Sequence, residues 1–186
     1  MHKTSMHIKI ILTLFFVGLC LDSLSQQFVV MPEGLRNAAD TSKKYVVIEA
    51  PNMSEKKLYD NALKYIHENY ADPDSAIKVK WDSTGLIFDT YVHDFLVYNN
   101  TGALLGIEAL YTTELRFYDG SVRMEITALD MKGQDSNYRL LFKGKWLKSY
   151  IVYKNNGKLF KPKTKEDIEN YFNSEIDIIS RYLKQK

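Results

Sequence analysis

Apolar and polar positions alternate along this chain with two different periods, and the period sets the element each segment predicts. Tyr45-Val46-Val47-Ile48-Glu49 is a β-branched run closed by Pro51, a first strand. Ser54 is a good helix cap, Glu55 favours the positive end of the helix, and Met53 can staple onto Leu58. Leu58, Ala62, Tyr65, Ile66 and Tyr70 then recur at helical spacing until Asp72-Pro73-Asp74-Ser75 stops the helix. Ala76 to Trp81 predicts a second strand with Ile77, Val79 and Trp81 on one side. Asp82-Ser83-Thr84-Gly85 turns the chain, and Leu86 to Val92 returns it. Between His93 and Gly106 the pattern is mixed, with Asn99-Asn100-Thr101-Gly102 reading as a turn.

The clearest signal follows. Tyr111 to Tyr118 and Ser121 to Ala128 flank Asp119-Gly120, a pair that favours a two-residue hairpin turn. That turn sets Phe117 against Val122, Leu115 against Met124 and Thr113 against Ile126, all on one face. On the other face Arg116 meets Arg123 and Glu114 meets Glu125. The direct pairs repel, and the diagonals Arg116–Glu125 and Glu114–Arg123 are expected to attract, each by about a few tenths of a kcal/mol.

Tyr138 to Lys154 reads as a short helix, since Trp146, Tyr150 and Tyr153 sit at helical spacing and Asn155-Asn156-Gly157 suits a helix end. A terminal helix follows Pro162, capped by Thr164. Its apolar stripe is Ile168, Tyr171, Phe172, Ile176, Ile179, Tyr182 and Leu183, and Lys184 and Lys186 complement its negative end. The expected fold class is α+β: a mostly antiparallel sheet with two helices on one face, in the order β-α-β-β-β-β-α.

The N-terminus follows a different logic. Lys3 and Lys9 precede an apolar run from Ile10 to Leu21, too short to span a membrane as a helix and suited to a signal peptide. Ser23-Leu24-Ser25 offers small residues for cleavage before Gln26. The expected organisation is a signal peptide at 1–25, a lead-in segment at 26–43 with a short edge strand at Phe28-Val29-Val30, and one domain at 44–186. A lipid anchor on Cys20 fits less well, because Leu19 stands where a lipoprotein carries a small residue. Cys20 is the one cysteine of the 186 residues, so the exported chain has no disulfide and no thiolate chemistry. The formal charge of +2 falls to +1 once Lys3, Lys9 and Asp22 leave, and no global field steers the protein to a polyanion.

With these elements in place, the chain resembles the DUF4468 domain, found in exported proteins of Bacteroidetes bacteria and described as having a TBP-like fold. The residues that carry the resemblance are Tyr45-Val46-Val47-Ile48-Glu49-Ala50-Pro51, Ser54-Glu55-Lys56-Lys57-Leu58-Tyr59 and the hairpin around Asp119-Gly120. Tyr153-Lys154-Asn155-Asn156-Gly157-Lys158 and Tyr171-Phe172-Asn173 add to it. The resemblance implies a curved antiparallel sheet backed by two helices, in a periplasmic, outer-envelope or secreted setting. It implies no activity, and likeness to a DNA-binding fold does not transfer DNA binding.

No assembled chemistry is evident in the sequence. His67 sits mid-helix, and His93 precedes Asp94 on a strand where neighbours point to opposite faces, which argues against a local pair. There is no G-x-S-x-G elbow, H-E-x-x-H helix or phosphate loop, and Asp72 and Asp74 flank a proline rather than a calcium loop. Catalytic, metal and cofactor residues are therefore not assigned. Two surfaces remain. Between Asp135 and Glu166 no acid occurs, while Arg139, Lys143, Lys145, Lys148, Lys154, Lys158, Lys161, Lys163 and Lys165 do, interleaved with Trp146, Tyr150, Tyr153 and Phe160. This segment could meet an envelope protein, an anionic glycan or a lipid headgroup, or be a solvated lysine face; nucleic acid is the weaker partner outside the cytosol. The second is the solvent side of the hairpin: Glu114, Arg116, Tyr118, Arg123 and Glu125. The interaction surface drawn from both is Arg116, Tyr118, Arg123, Glu125, Lys143, Lys145, Trp146 and Lys148.

Three readings stay open: a non-catalytic binding domain of the envelope, a self-associating structural subunit, and a carboxylate-dependent enzyme acting on glycans. The shared premise is export. Expression of the full chain in a bacterial host should yield a product whose N-terminal sequencing starts at Gln26; full-length protein recovered from the cytosol, with Cys20 intact, would contradict it.

Overall fold

The computed structural model describes residues 27–100, 103–134, 138–145 and 150–185; the expected signal peptide at 1–25 with Cys20, and Trp146 and Lys148, lie outside them. The chain opens with β1 (Phe28–Met31) and β2 (Gly34–Asn37), then β3 (Tyr45–Glu49), helix α1 (Glu55–Asn69) and the single helical turn α2 (Pro73–Ala76). Next come β4 (Ile77–Trp81), β5 (Gly85–Asn100), β6 (Ala103–Tyr118) and β7 (Ser121–Gly133). β8 (Leu140–Gly144), β9 (Tyr150–Lys154) and α3 (Pro162–Leu183) complete the chain. Five strands form one antiparallel sheet in the order β3-β7-β6-β5-β4.

The Asp119-Gly120 hairpin forms in the expected register, with Phe117 opposite Val122, Leu115 opposite Met124 and Thr113 opposite Ile126. Gly120 takes the positive φ of 80° that the turn requires. The turn also has a second role. The Asp119 carboxylate accepts from the Glu55 amide at 2.9 Å and Gly120 donates to the Met53 carbonyl at 2.8 Å, so the hairpin tip holds the start of α1. Ser54 accepts from Lys57 as the expected cap.

Helices α1 and α3 cover one face of the sheet. Leu58, Ala62, Tyr65 and Ile66 from α1 meet Ile168, Phe172, Ile176, Ile179 and Leu183 from α3 over Val46, Ile48, Leu86, Phe88, Tyr111, Leu115, Phe117, Val122 and Met124. Buried Asn61 on α1 donates to the carbonyls of Leu183 at 2.9 Å and Gln185 at 2.8 Å, answering unpaired acceptors at the end of α3.

Several expectations are corrected. β5 and β6 run for 16 residues each and absorb the ambiguous stretch around His93 into one long ladder. Register shifts between Val92 and Leu96 and between Leu110 and Thr112 bend that ladder. The described residues of Tyr138–Lys154 form strands rather than a helix: β8 and β9 pair in parallel, with Leu140, Ile151 and Val152 buried, and Trp146 lies outside the described residues. Thr164 does not cap α3, which starts at Pro162 with no side-chain cap; Thr164 is instead buried within its first turn. Proline suits that first position because it has no N–H to satisfy there. Asp72-Pro73-Asp74-Ser75 does more than stop α1, since Asp72 accepts from Ser75 and caps the turn α2.

The lead-in segment is likewise part of the structure. β1 and β2 form an antiparallel hairpin that buries Phe28, Val30 and Leu35. The outer edge of β1 docks on α3: Asn173 accepts from the Phe28 amide at 2.8 Å and donates to its carbonyl at 3.2 Å, and Glu169 accepts from Val30 at 2.7 Å. Tyr153 from β9 donates to the Val30 carbonyl at 2.8 Å. Side chains thus satisfy an edge that would otherwise expose backbone groups. Phe28→Ala should lower unfolding free energy by about 3–5 kcal/mol and Asn173→Ala by about 1–3 kcal/mol in urea denaturation; unchanged midpoints for both would mean the hairpin is dispensable.

Candidate interaction face

Among the described residues no helix covers the second face of the sheet, and the register lines its side chains into rows. One row runs Tyr45, Glu125, Glu114, Ile87, Val79; the next runs Val47, Arg123, Arg116, Gly85, Trp81. Like charges sit directly opposite at the centre, as expected. Their relief is different from the expected diagonals. Arg116 Nε donates to Glu114 Oε1 at 2.7 Å and an Arg123 terminal nitrogen to Glu125 Oε2 at 2.7 Å, each pair within one strand. Residues two apart on a strand share a face, so a long arginine reaches its own neighbour without crossing the ladder.

Each arginine is also laid flat on an aromatic ring. The Arg116 guanidinium lies 3.8 Å from the centroid of Trp81, and that of Arg123 lies 3.9 Å from the centroid of Tyr45. Trp81 belongs to β4, two strands away from Arg116, and its ring crosses β5 above Gly85. A Cβ at position 85 would lie 2.4 Å from the Trp81 ring. Gly85 is there because the ring must pass over backbone. Glu125 is 17% exposed while Arg116 and Arg123 are 37% and 39% exposed, so the pairs lie half sunk into the face. Tyr118 at the hairpin end is 52% exposed on the same side, with Leu110 and Tyr91 further along it.

The structure thus brings together Arg116, Arg123, Glu125 and Tyr118, together with Glu114. It places Lys143 and Lys145 apart, exposed on and just after β8. The run of cations around them is dispersed over β8, β9 and α3. Arg139 pairs with Asp130 at 2.7 Å, Lys163 with Asp167 at 2.8 Å, and Lys165 with Glu169. Lys154 and Lys161 lie over the Phe160 ring. Of the interleaved aromatics, Tyr153 is buried and Tyr150 stacks on Tyr98 with centroids 6.1 Å apart.

Trp81, Gly85 and Tyr45 were not singled out by sequence reasoning as parts of this face. The signal available was a tryptophan and a glycine at opposite ends of a tight turn, which pairing places side by side. The expected separation of His93 and Asp94 is also corrected. The register shift after Val92 lets His93 Nδ1 and Asp94 Oδ1 approach to 3.3 Å, and Gln134 donates to Asp94 at 2.8 Å. Gln134 and His93 together hold the Asp94 carboxyl below the usual carboxylate range. Both residues are largely exposed. Among the described residues no group of three or more His, Cys, Asp or Glu is placed to hold a metal ion, and no helix is long and apolar enough to cross a membrane.

Gly85→Ala, made in a Trp146→Phe background, should push the Trp81 ring off Arg116, shift its fluorescence and cost about 1–3 kcal/mol in urea denaturation. Unchanged emission would show that the ring does not depend on the missing Cβ.

No curated protein matches the chain. Among solved structures, the fold is shared with a DUF4468 family protein from Bacteroides ovatus ATCC 8483, at TM-score 0.52 and 14% identity over 76% of this chain and 85% of that one. It is shared equally with a TBP-like protein from Parabacteroides distasonis ATCC 8503, at TM-score 0.52 and 13% identity over 76% of this chain and 91% of that one. These likenesses establish the fold. Residues 45–132, from β3 into the last pairs of the β6–β7 ladder, match the model of the family described as a domain of unknown function (DUF4468) with TBP-like fold, the family that the sequence resembles.

Proposed function

We propose that this protein is an exported, non-catalytic binding domain of the bacterial envelope, and that its open sheet face docks another envelope protein. The observation that carries the reading is the pair of arginines held flat on Trp81 and Tyr45 in the middle of an uncovered face. Arginine and tyrosine are the residues that anchor protein interfaces. Side chains ordered before contact lose less freedom on docking, which raises affinity without adding area. Each guanidinium spends one side of its fork on a glutamate and keeps further N–H donors for a partner's carbonyls and carboxylates. Exposed Tyr118, Leu110 and Tyr91 extend the same face with apolar area.

Export rests on the leader-like residues 1–25 and agrees with the setting in which the resembled family is found. The balance of Arg116 and Arg123 against Glu114 and Glu125 disfavours a long anionic polymer as the occupant, because a neutralised face offers little long-range attraction.

The test is capture from envelope extracts. The double variant Arg116→Glu, Arg123→Glu should lose its bound partner by about thirtyfold or more, the effect of removing an interface anchor worth about 2 kcal/mol, while its circular dichroism stays unchanged. Lys143→Glu, Lys145→Glu should bind as the native chain does. Loss confined to the lysine variant would move the surface to β8, and equal capture by all three proteins would overturn the proposal.

A further inference from the structure

A second site lies away from the open face, where the sheet edge is left bare. β4 pairs with β5 only from Gly85 to Phe88, and among the described residues no strand pairs with that edge of β5 beyond Phe88. There the end of α1, the middle of α3 and Asp89 to Tyr91 enclose an open cleft of about 470 Å³. Its lining mixes tyrosines with polar side chains, and Tyr65 at its base is buried. Tyr65 and Tyr70 meet edge to face, with centroids 6.0 Å apart and planes at 78°, and Tyr171 faces them from α3. Tyr70 shares a hydrogen bond with Thr90 at 2.6 Å, and Tyr171 shares one with the buried Tyr111 at 3.0 Å, so two of the rings are fixed in place.

One carboxylate looks into this box. Glu175 on α3 accepts from the Tyr65 hydroxyl at a long 3.4 Å. Among the described residues no Lys, Arg or His pairs with it. Burial raises its pKa above the ordinary value, and hydrogen bonds from Tyr65 and Tyr111 offset this only in part. The other acid at the rim, Asp89, is already engaged by Thr112 at 2.6 Å and Lys78 at 3.6 Å. A single free carboxylate cannot satisfy a hard metal ion that needs six or more oxygen ligands. It does suit a cation whose remaining surface is apolar.

We infer that this cleft binds a compact organic ammonium group, with Glu175 as counter-charge, the half-buried rings of Tyr70 and Tyr171 as walls, and the buried Tyr65 behind them as a hydrogen-bond donor to Glu175. Aromatic faces attract cations, more strongly where water is excluded, and such boxes recognise methylated and quaternary ammonium. The cost of desolvating the Glu175 carboxylate is offset by its attraction to a positive ligand that shares the site, and the low polarity around it strengthens that attraction. This site is independent of the Arg116–Arg123 face, and either assignment can fail alone.

The probes are choline and its uncharged isostere 3,3-dimethylbutan-1-ol, followed by amide chemical shifts in the folded exported chain. Choline should shift the resonances of Tyr65, Tyr70, Thr90 and Tyr171 saturably and the alcohol should not. Glu175→Gln, which keeps shape and removes charge, should weaken choline by about tenfold or more. Ile178→Lys, one turn from Glu175 on the cleft wall, should supply a tethered ammonium and block choline while raising Tm. The ammonium group could be carried by a free solute or a lipid headgroup. Co-flotation with phosphatidylethanolamine vesicles separates the two, and binding by either route that is lost in Glu175→Gln supports the site. Equal binding of choline and the alcohol, no saturable shift at tens of millimolar choline, or undiminished binding by Glu175→Gln would overturn it.

Discussion

Successive residues of a strand point to opposite sides, so a helix layer that seals one face of β5, β6 and β7 must leave the other in water. This constraint organises the whole molecule. The chain supplies one apolar stripe on α1 and one on α3, enough for one face. What keeps the helices on that face is a set of polar anchors at their ends. Asp119 on the hairpin tip holds the first turn of α1, and Asn61 on α1 answers the last carbonyls of α3. Glu169 and Asn173 on α3 in turn hold the backbone of β1. Each anchor joins residues remote in sequence, so α1, α3, the β6–β7 turn and the N-terminal hairpin fix one another.

The unsealed face must carry charge without repelling itself. The register forces arginine opposite arginine and glutamate opposite glutamate. Pairing along each strand removes most of that repulsion, and the rings of Trp81 and Tyr45 take up the guanidinium planes. Ion pairs this exposed contribute on the order of 1 kcal/mol or less, so the arrangement adds little to stability. Its effect is order: six side chains from four strands hold one geometry on a surface where solvated charges would otherwise wander.

What was legible in the sequence divides along physical lines. The β6–β7 register followed from strict alternation and one Asp-Gly turn, both local. The apolar stripes of α1 and α3 followed from spacing alone. β8 and β9 were misread because Trp146, Tyr150 and Tyr153 fall at intervals of four and three, which imitate a helix face, while short parallel strands leave no local turn signal. Of the β1–β2 hairpin only the first strand, at Phe28-Val29-Val30, was legible, and its pairing with β2 was missed for a related reason. Its strands are four residues long, and its edge is completed by side chains about 140 residues away, at |i−j| of 139 and 145. The Arg116 and Arg123 face was found, but not the Trp81 stack, since only pairing shows that Gly85 opens a path for the ring.

Charge density along the chain proved a poor guide to where charge stays uncompensated. The densest run of lysines is spread over three elements, and several of its cations meet acids four residues on along α3 or close to aromatic rings. Glu175 is an ordinary polar position beside a helical stripe, with nothing in its neighbours to mark it. β4 begins only opposite Phe88, which leaves a gap beside Asp89 to Tyr91, and the gap is lined in part by tyrosines whose other contacts are with the core. A charge half-enclosed in that way loses hydration and, among the described residues, meets no cation, so an incoming positive ligand would find its counter-charge unspent, unlike Glu114 and Glu125, which already hold arginines.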